Sequence, residues 1–282
     1  MTALKRILTS LFLILLIVGC SNEEQQDVAE KSTNEEAANA EERVQDETSI
    51  TDETNTKDEE KDTVTVEVTE PKEPKYQIDP NSWAVVPIGD ANKDVVLLTI
   101  DDAPDKYALE MAKTLKELDV KAIFFVNGHF IDSEEEGKIL KEIYNMGFPI
   151  GNHTYSHSNL SDISIEDQKH EIIALNDRVE EITGERPKFF RAPFGVNTED
   201  SRKIAAEENM LIMNWTYGYD WEKDYQTKDA IADIMVNSPY LRSGANLLMH
   251  DRAWTNEALK DIVTGLQTKG YEMVDPELIQ VP

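Results

Sequence analysis

The sequence holds a single cysteine in 282 residues, Cys20. One thiol excludes an intrachain disulfide framework and any metal site built from several cysteines. Basic side chains are scarce too: 28 Lys and Arg stand against 56 Asp and Glu, a formal net charge of -28. So acidic a chain repels the phosphate backbone from which nucleic-acid binders draw most of their affinity, so no nucleic-acid partner is expected. Long apolar runs are missing, apart from Leu11 to Val18 near the start. That run is too short to cross a bilayer as a mature helix. Only five histidines occur, so any clustering among them carries information.

The N-terminal run has a basic start, Lys5 and Arg6, and closes at Gly19. Basic start, short apolar core and small residue together read as a secretory signal over residues 1–19. Ile17-Val18-Gly19-Cys20 resembles the bacterial lipobox. That resemblance implies cleavage before Cys20, lipidation of its thiol, and anchoring at the extracytoplasmic face of the cell membrane. The competing reading is an ordinary signal or anchor helix with an incidental cysteine.

Residues 20–75 are rich in Glu, Asp, Thr, Asn and Gln, and residues 21–80 alone carry a net charge of -14. Such a stretch buries too little apolar surface to offset its ordering entropy, and a disordered acidic linker is expected. Val64, Val66 and Val68 alternate with polar residues, but Pro71 and Pro74 follow at once. The linker reads as a tether, or more plainly as a solvated charge run.

From Tyr76 onward the composition is globular, and all four tryptophans lie there. Val95–Ile100 reads as a buried strand, Ala108–Leu118 as a helix with Leu109, Ala112, Leu115 and Leu118 on one face, and Ala122–Val126 as a second strand. Strands at Phe148–Gly151, Phe189–Arg191, Leu211–Trp215 and Asn246–His250 then alternate with helices at 138–146, 165–182, 198–208, 229–236 and 257–269. No internal repeat is present. This alternation argues one α/β domain over 76–282 with parallel strands, either a barrel or a doubly wound sheet.

Chemistry-bearing residues gather at the ends of these strands, where α/β enzymes place their sites. Thr99-Ile100-Asp101-Asp102-Ala103-Pro104 sets two carboxylates side by side, which repel each other and need a compensating charge. Taken alone, such a pattern is more often a turn or a helix cap than a site. In Asn152-His153-Thr154-Tyr155-Ser156-His157, two histidines stand four apart, which on a helical turn aims both at one metal. A carboxylate from elsewhere would complete the set. Arg191-Ala192-Pro193-Phe194-Gly195 offers a guanidinium for a carboxylate, Tyr219-Asp220-Trp221 an acid beside a flat apolar ring, and Leu248-Met249-His250-Asp251 a histidine ending an apolar strand. Each has a plain structural explanation by itself: a surface ion pair, a packed indole, a satisfied histidine.

Their order is far more specific. Asp-Asp-x-Pro, His-Thr-x-x-His, Arg-x-Pro-x-Gly, Asp-Trp and Leu-x-His, each after a strand, resemble the polysaccharide deacetylases (the NodB-homology group, carbohydrate esterase family four) over about residues 95–275. The resemblance implies a deformed (β/α) barrel with an incomplete strand count and a divalent metal, commonly zinc. It makes Asp102, His153 and His157 the metal ligands, Asp101 the general base, Arg191 its orienting partner and His250 the general acid, tuned by Asp220. Trp221 and Leu248 would wall the acetyl pocket, and the backbone N–H of Phe194 would help hold the oxyanion. The implied activity is hydrolysis of a linear amide other than a peptide bond, on an acetylated glycan: an N-acetyl amino-sugar polymer of the envelope, peptidoglycan first. An O-acetyl glycan of the xylan type, or a non-catalytic glycan-binding lipoprotein, stands as the alternative. Three positions depart from the family pattern: Ile100 replaces Phe, Ala103 replaces Gly, and Tyr217 stands where an acid is common. A positive φ at residue 103 would make Ala103 a strain point. His129 and His170 match no motif.

Overall fold

The computed structural model describes residues 72–282. The signal, the lipobox cysteine and nearly all of the acidic linker lie outside the described residues. The first strand, β1 (Tyr76–Ile78), pairs antiparallel with β2 (Val85–Pro87). Residues 72–75, counted with the linker on composition, are tied to the fold. Lys72 Nζ meets Asp275 at 2.7 Å and Glu277 at 2.6 Å, and the Lys75 amide donates to Leu278 O.

A parallel sheet follows, with order β7-β6-β5-β4-β3-β8 and β9 beside the start of β3. Its strands are β3 (Val95–Ala103), β4 (Ile123–Val126), β5 (Ile150–Asn152), β6 (Phe189–Phe190), β7 (Leu211–Ile212), β8 (Ala245–His250) and β9 (Glu272–Met273). Helices α1 (Ala108–Glu117), α2 (Glu134–Asn145), α3 (Ile165–Thr183), α4 (Glu199–Glu207), α5 (Lys228–Asn237) and α6 (Ala253–Thr268) connect them. Between β7 and β8 the sheet has no full strand. Tyr217 bridges that gap by pairing with Leu247, and Thr216 N donates to Asn246 O. Of the two architectures that the strand–helix alternation leaves open, the result is the incomplete α/β barrel that the resemblance implies.

β3 shows how the sequence builds both faces. Val96, Leu98 and Ile100 pack into the cluster shared with the helices, whereas Val95 and Leu97 join the barrel interior. A strand buried on both sides reads as a continuous apolar run, as this one does. Thr99 and Asp101 continue the interior row, so Asp101 stands at its upper end. Between Ile100 and Ala103 the register with β4 shifts, and Asp102 takes a left-handed φ of 58°. The bulge turns Asp102 away from the alternation and re-aims its side chain.

The helix ends follow local chemistry. α2 begins earlier than its apolar period implies, because Ser133 and Glu136 form a reciprocal capping box. It stops at Gly147, whose φ of 86° suits glycine. On α1 the buried residues are Ala108, Met111, Ala112 and Leu115, a face rotated slightly from the one the leucines mark. Gly218, just after the Tyr217 bridge, admits no side chain: a Cβ there would fall 2.5 Å from Leu248 O.

Candidate active site

Asp101 is almost wholly buried, and Arg191 Nη1 donates to its Oδ1 at 2.6 Å. Arg191 is fully buried although its motif alone is compatible with a surface ion pair. The same Nη1 donates to Thr99 Oγ1, Nη2 donates to Asn214 O, and the guanidinium lies 4.3 Å over the Phe125 ring. These contacts fix the fork against the interior wall. Oδ2 of Asp101 is left facing His153 Nε2 at 3.6 Å.

The two histidines converge, but not on a helical turn. Residues 153–158 form a loop with left-handed backbone at Thr154 (φ 68°) and His157 (φ 61°). Side chains from other elements set that path. Asn127 Nδ2 donates to the carbonyls of His153 and Thr154, and Asn152 Oδ1 accepts from Thr154 N. Glu171 on α3 accepts from both the amide and the hydroxyl of Ser156. The loop brings His153 Nε2 to 3.8 Å and His157 Nε2 to 3.4 Å from Asp102 Oδ1.

This cluster has the properties of a metal site. One ligand atom each from Asp102, His153 and His157 lies within 4.8 Å of the others. His153 Nδ1 bonds to Arg191 O at 2.7 Å. A carbonyl only accepts, so Nδ1 carries the proton and Nε2 keeps its lone pair for an ion. Burial and the neighbouring His153 push His157 below the ordinary histidine pKa, against the pull of Asp102 and Asp101, which favours the neutral, ligating imidazole. Burial raises the Asp102 pKa, but the electrostatic pull of its neighbours, His250 first, then the two histidines and the Arg252 guanidinium, outweighs it and keeps the carboxylate ionised.

His250 closes the site from β8. Its Nδ1 donates to Asp220 Oδ1 at 2.7 Å, which fixes Nε2 as the free ring nitrogen. Asp220 is fully buried; its Oδ2 accepts from the His250 amide and from Thr255 Oγ1. Trp254 Nε1 donates to the Asp220 carbonyl. The Trp221 indole stands edge-on to His250 at 5.5 Å, and the Phe194 ring meets His157 edge-on at 4.9 Å. Both rings are exposed, whereas Leu248 is buried at 3%. Phe194 holds a left-handed φ of 58° within its short turn.

The departures from the family pattern resolve structurally. Ala103 does not have a positive φ; the left-handed residue is Asp102, so the alanine brings no strain. It is buried in the helix-side core. Tyr217 is buried and donates its hydroxyl to Met235 O, where an acid would be unpaired against a carbonyl. His129 and His170 are exposed, His129 bonding Tyr155 O and His170 stacking on the Tyr155 ring. Two residues that the motifs leave without a role are structurally central. Asp251 accepts from the amides of Lys106, Tyr107 and Ala108 and so caps α1, whose own Tyr107 supplies no side-chain cap. Arg252 pairs with Asp102.

The profile of the polysaccharide deacetylase family matches residues 88–213. A peptidoglycan-N-acetylglucosamine deacetylase of Bacillus cereus is 35% identical over 202 residues, covering 68% of this chain and 70% of that one. This chain belongs to the polysaccharide deacetylase family. Among solved structures, the Bc1960 peptidoglycan N-acetylglucosamine deacetylase shares 32% identity at a TM-score of 0.61, covering 69% of this chain and 92% of its own. A family pseudoenzyme of Bacillus anthracis, BA3943, shares 30% identity at a TM-score of 0.59. That match covers 64% of this chain and 63% of the pseudoenzyme, so this chain spans less than two thirds of that protein. A structure named a deacetylase and one named a pseudoenzyme match the fold almost equally well. Fold likeness alone does not separate the two; the 35% identical deacetylase relative supports deacetylase activity, and the side chains of the site agree with it.

Proposed function

We propose that the chain is a metal-dependent hydrolase that removes N-acetyl groups from an amino-sugar polymer of the cell envelope, with peptidoglycan the foremost substrate. The carrying observation is the pair of hydrogen-bonded couples, Arg191–Asp101 and Asp220–His250, set around the Asp102–His153–His157 cluster. Charge is costly to bury, and both couples aim their free atoms at the one cluster where an acid–base reaction would use them.

A divalent ion on Asp102 Oδ1 and the two Nε2 atoms would polarise the amide carbonyl and acidify a water. Two nitrogens and one carboxylate oxygen suit zinc among the common ions. Asp101 has Oδ1 occupied by Arg191, so Oδ2 is the oxygen that takes the proton of the attacking water. Arg191 keeps that carboxylate from rotating. As the C–N bond breaks, the departing amine takes a proton from Nε2 of the protonated His250, whose other nitrogen is held by Asp220. The Phe194 N–H would help hold the developing oxyanion, and the exposed Phe194 and Trp221 rings offer apolar surfaces to sugar faces. Leu248, buried beside the cluster, would wall the pocket for the acetyl methyl. Lipidation at Cys20 would place this site at the outer face of the membrane, within reach of wall polymer.

The reading is tested by acetate release from peptidoglycan, from N-acetylglucosamine oligomers and from O-acetylated xylan, using the full chain before and after chelation. Release from the two N-acetylated substrates, lost on chelation and restored by Zn2+, is the expected result. Release from xylan alone would assign an esterase. Glycan binding without any release by metal-loaded protein would assign a binding protein.

A further inference from the structure

Asp102 gives its two carboxylate oxygens to different partners. Oδ1 faces the two histidine nitrogens, while Oδ2 accepts a hydrogen bond from Arg252 Nη2 at 2.7 Å. The guanidinium is itself held, since its Nη1 donates to Asp251 O at 3.0 Å. Asp251 in turn is gripped by the three amides at the head of α1. Resting on the reading of this cluster as a metal site, we propose that Arg252 is a positioning residue that ties up Oδ2 and leaves Asp102 a single oxygen for the metal.

The physical consequence is a trade. A carboxylate with both oxygens free can bind a cation through one or both. Two-oxygen binding would fill a position that a catalytic site keeps open for water and substrate. Arg252 blocks it, but a guanidinium so close also draws charge from the ligand and repels a divalent ion. Arg252 therefore lowers metal affinity while keeping the site open. A residue that merely braced the loop would do the reverse, and its loss would weaken metal binding.

This difference in sign is the test. Full-length wild type, Arg252→Ala and Arg252→Gln are titrated with Co2+, following the visible d–d absorption, and Zn2+ affinity is measured by chelator competition. Arg252→Ala removes that repulsion and is expected to bind Zn2+ about fivefold more tightly. Its Co2+ band weakens as coordination number rises, and its acetate release at saturating metal slows. Arg252→Gln keeps an N–H donor for Oδ2 without the charge, so its affinity rises while its Co2+ spectrum stays that of wild type. Weaker Zn2+ binding by Arg252→Ala, or a Co2+ spectrum unchanged from wild type, overturns the proposal while leaving the metal site intact. Wild-type protein that takes up no metal overturns the site reading itself, and this proposal with it.

Discussion

Arg191 and Asp101 are almost wholly buried, with side-chain exposures of 0% and 2%, whereas His250 keeps 17% of its side chain exposed above a fully buried Asp220. The first couple is rigidly held, locked by Thr99, Asn214 and Phe125. The second is a couple whose proton can come and go. A base that must accept a proton on one defined oxygen gains from rigidity. An acid that must be recharged between turnovers gains from contact with solvent. The molecule places each kind of couple where its task requires, and the contrast can be broken from either side.

The largest effect is expected from Arg191→Met. It leaves the Asp101 carboxylate buried without its partner, a loss of about 3–5 kcal/mol for a broken buried pair. Urea unfolding reads this directly, and retention of wild-type stability would show that Asp101 finds solvent or another donor.

Asp220→Asn should act on pH dependence more than on folding. Burial disfavours charge on His250, but the Asp220 hydrogen bond and charge, with Asp101 and Asp102, raise its pKa above the ordinary histidine value. The groups facing it are thus Asp220, Asp101, Asp102 and, on the metal side, His157. A raised folded pKa means that the charged form is stabilised below the unfolded histidine pKa, and that this stabilisation is lost as pH rises through the folded value. Removing the Asp220 charge lowers that upper value. The alkaline limb of the acetate-release profile should therefore move to lower pH, with kcat reduced about 10²–10⁴-fold. An alkaline limb that stays in place would assign it to another group.

Glu171→Gln probes the loop that carries His157. It keeps the shape but loses a charged acceptor for the Ser156 amide and hydroxyl. A stability loss of about 1–2 kcal/mol is expected, with Zn2+ affinity falling several-fold on chelator competition. Smallest is Ala103→Gly. Restoring the family glycine should not help, because residue 103 has no positive φ and its methyl packs in the core. A slight loss of stability, about 1 kcal/mol, is expected on thermal unfolding. A gain in activity would show strain at the bulge.

What was legible in the sequence divides along physical lines. The strand and helix order followed from periodicity, since each long element buries a continuous face. The short strands β1, β2 and β9 left no such trace, because two or three residues cannot show a period and their pairing partners are distant. The start of α2 was legible in principle, from Ser133 and Glu136, but its apolar period begins later. The five motifs lie where the fold gathers them, and Asp101, Asp102, His153, His157, Arg191, Asp220 and His250 share one site. The spacing of His153 and His157 invited a helical turn; the fold instead uses a loop with left-handed residues, held by the neighbouring Asn152 and by Asn127 and Glu171 from distant elements. Arg252 was invisible for the same reason, since its partner lies 150 residues away.

The claim that this family member is a working deacetylase is met most directly by one side-by-side measurement. Wild type and Asp101→Asn, each with bound metal quantified, are assayed for acetate released from N-acetylglucosamine oligomers. The account predicts one metal in both proteins, acetate from wild type, and a loss of about 10²–10⁴-fold in the variant. Equal release from both, or none from fully metal-loaded wild type, would contradict it.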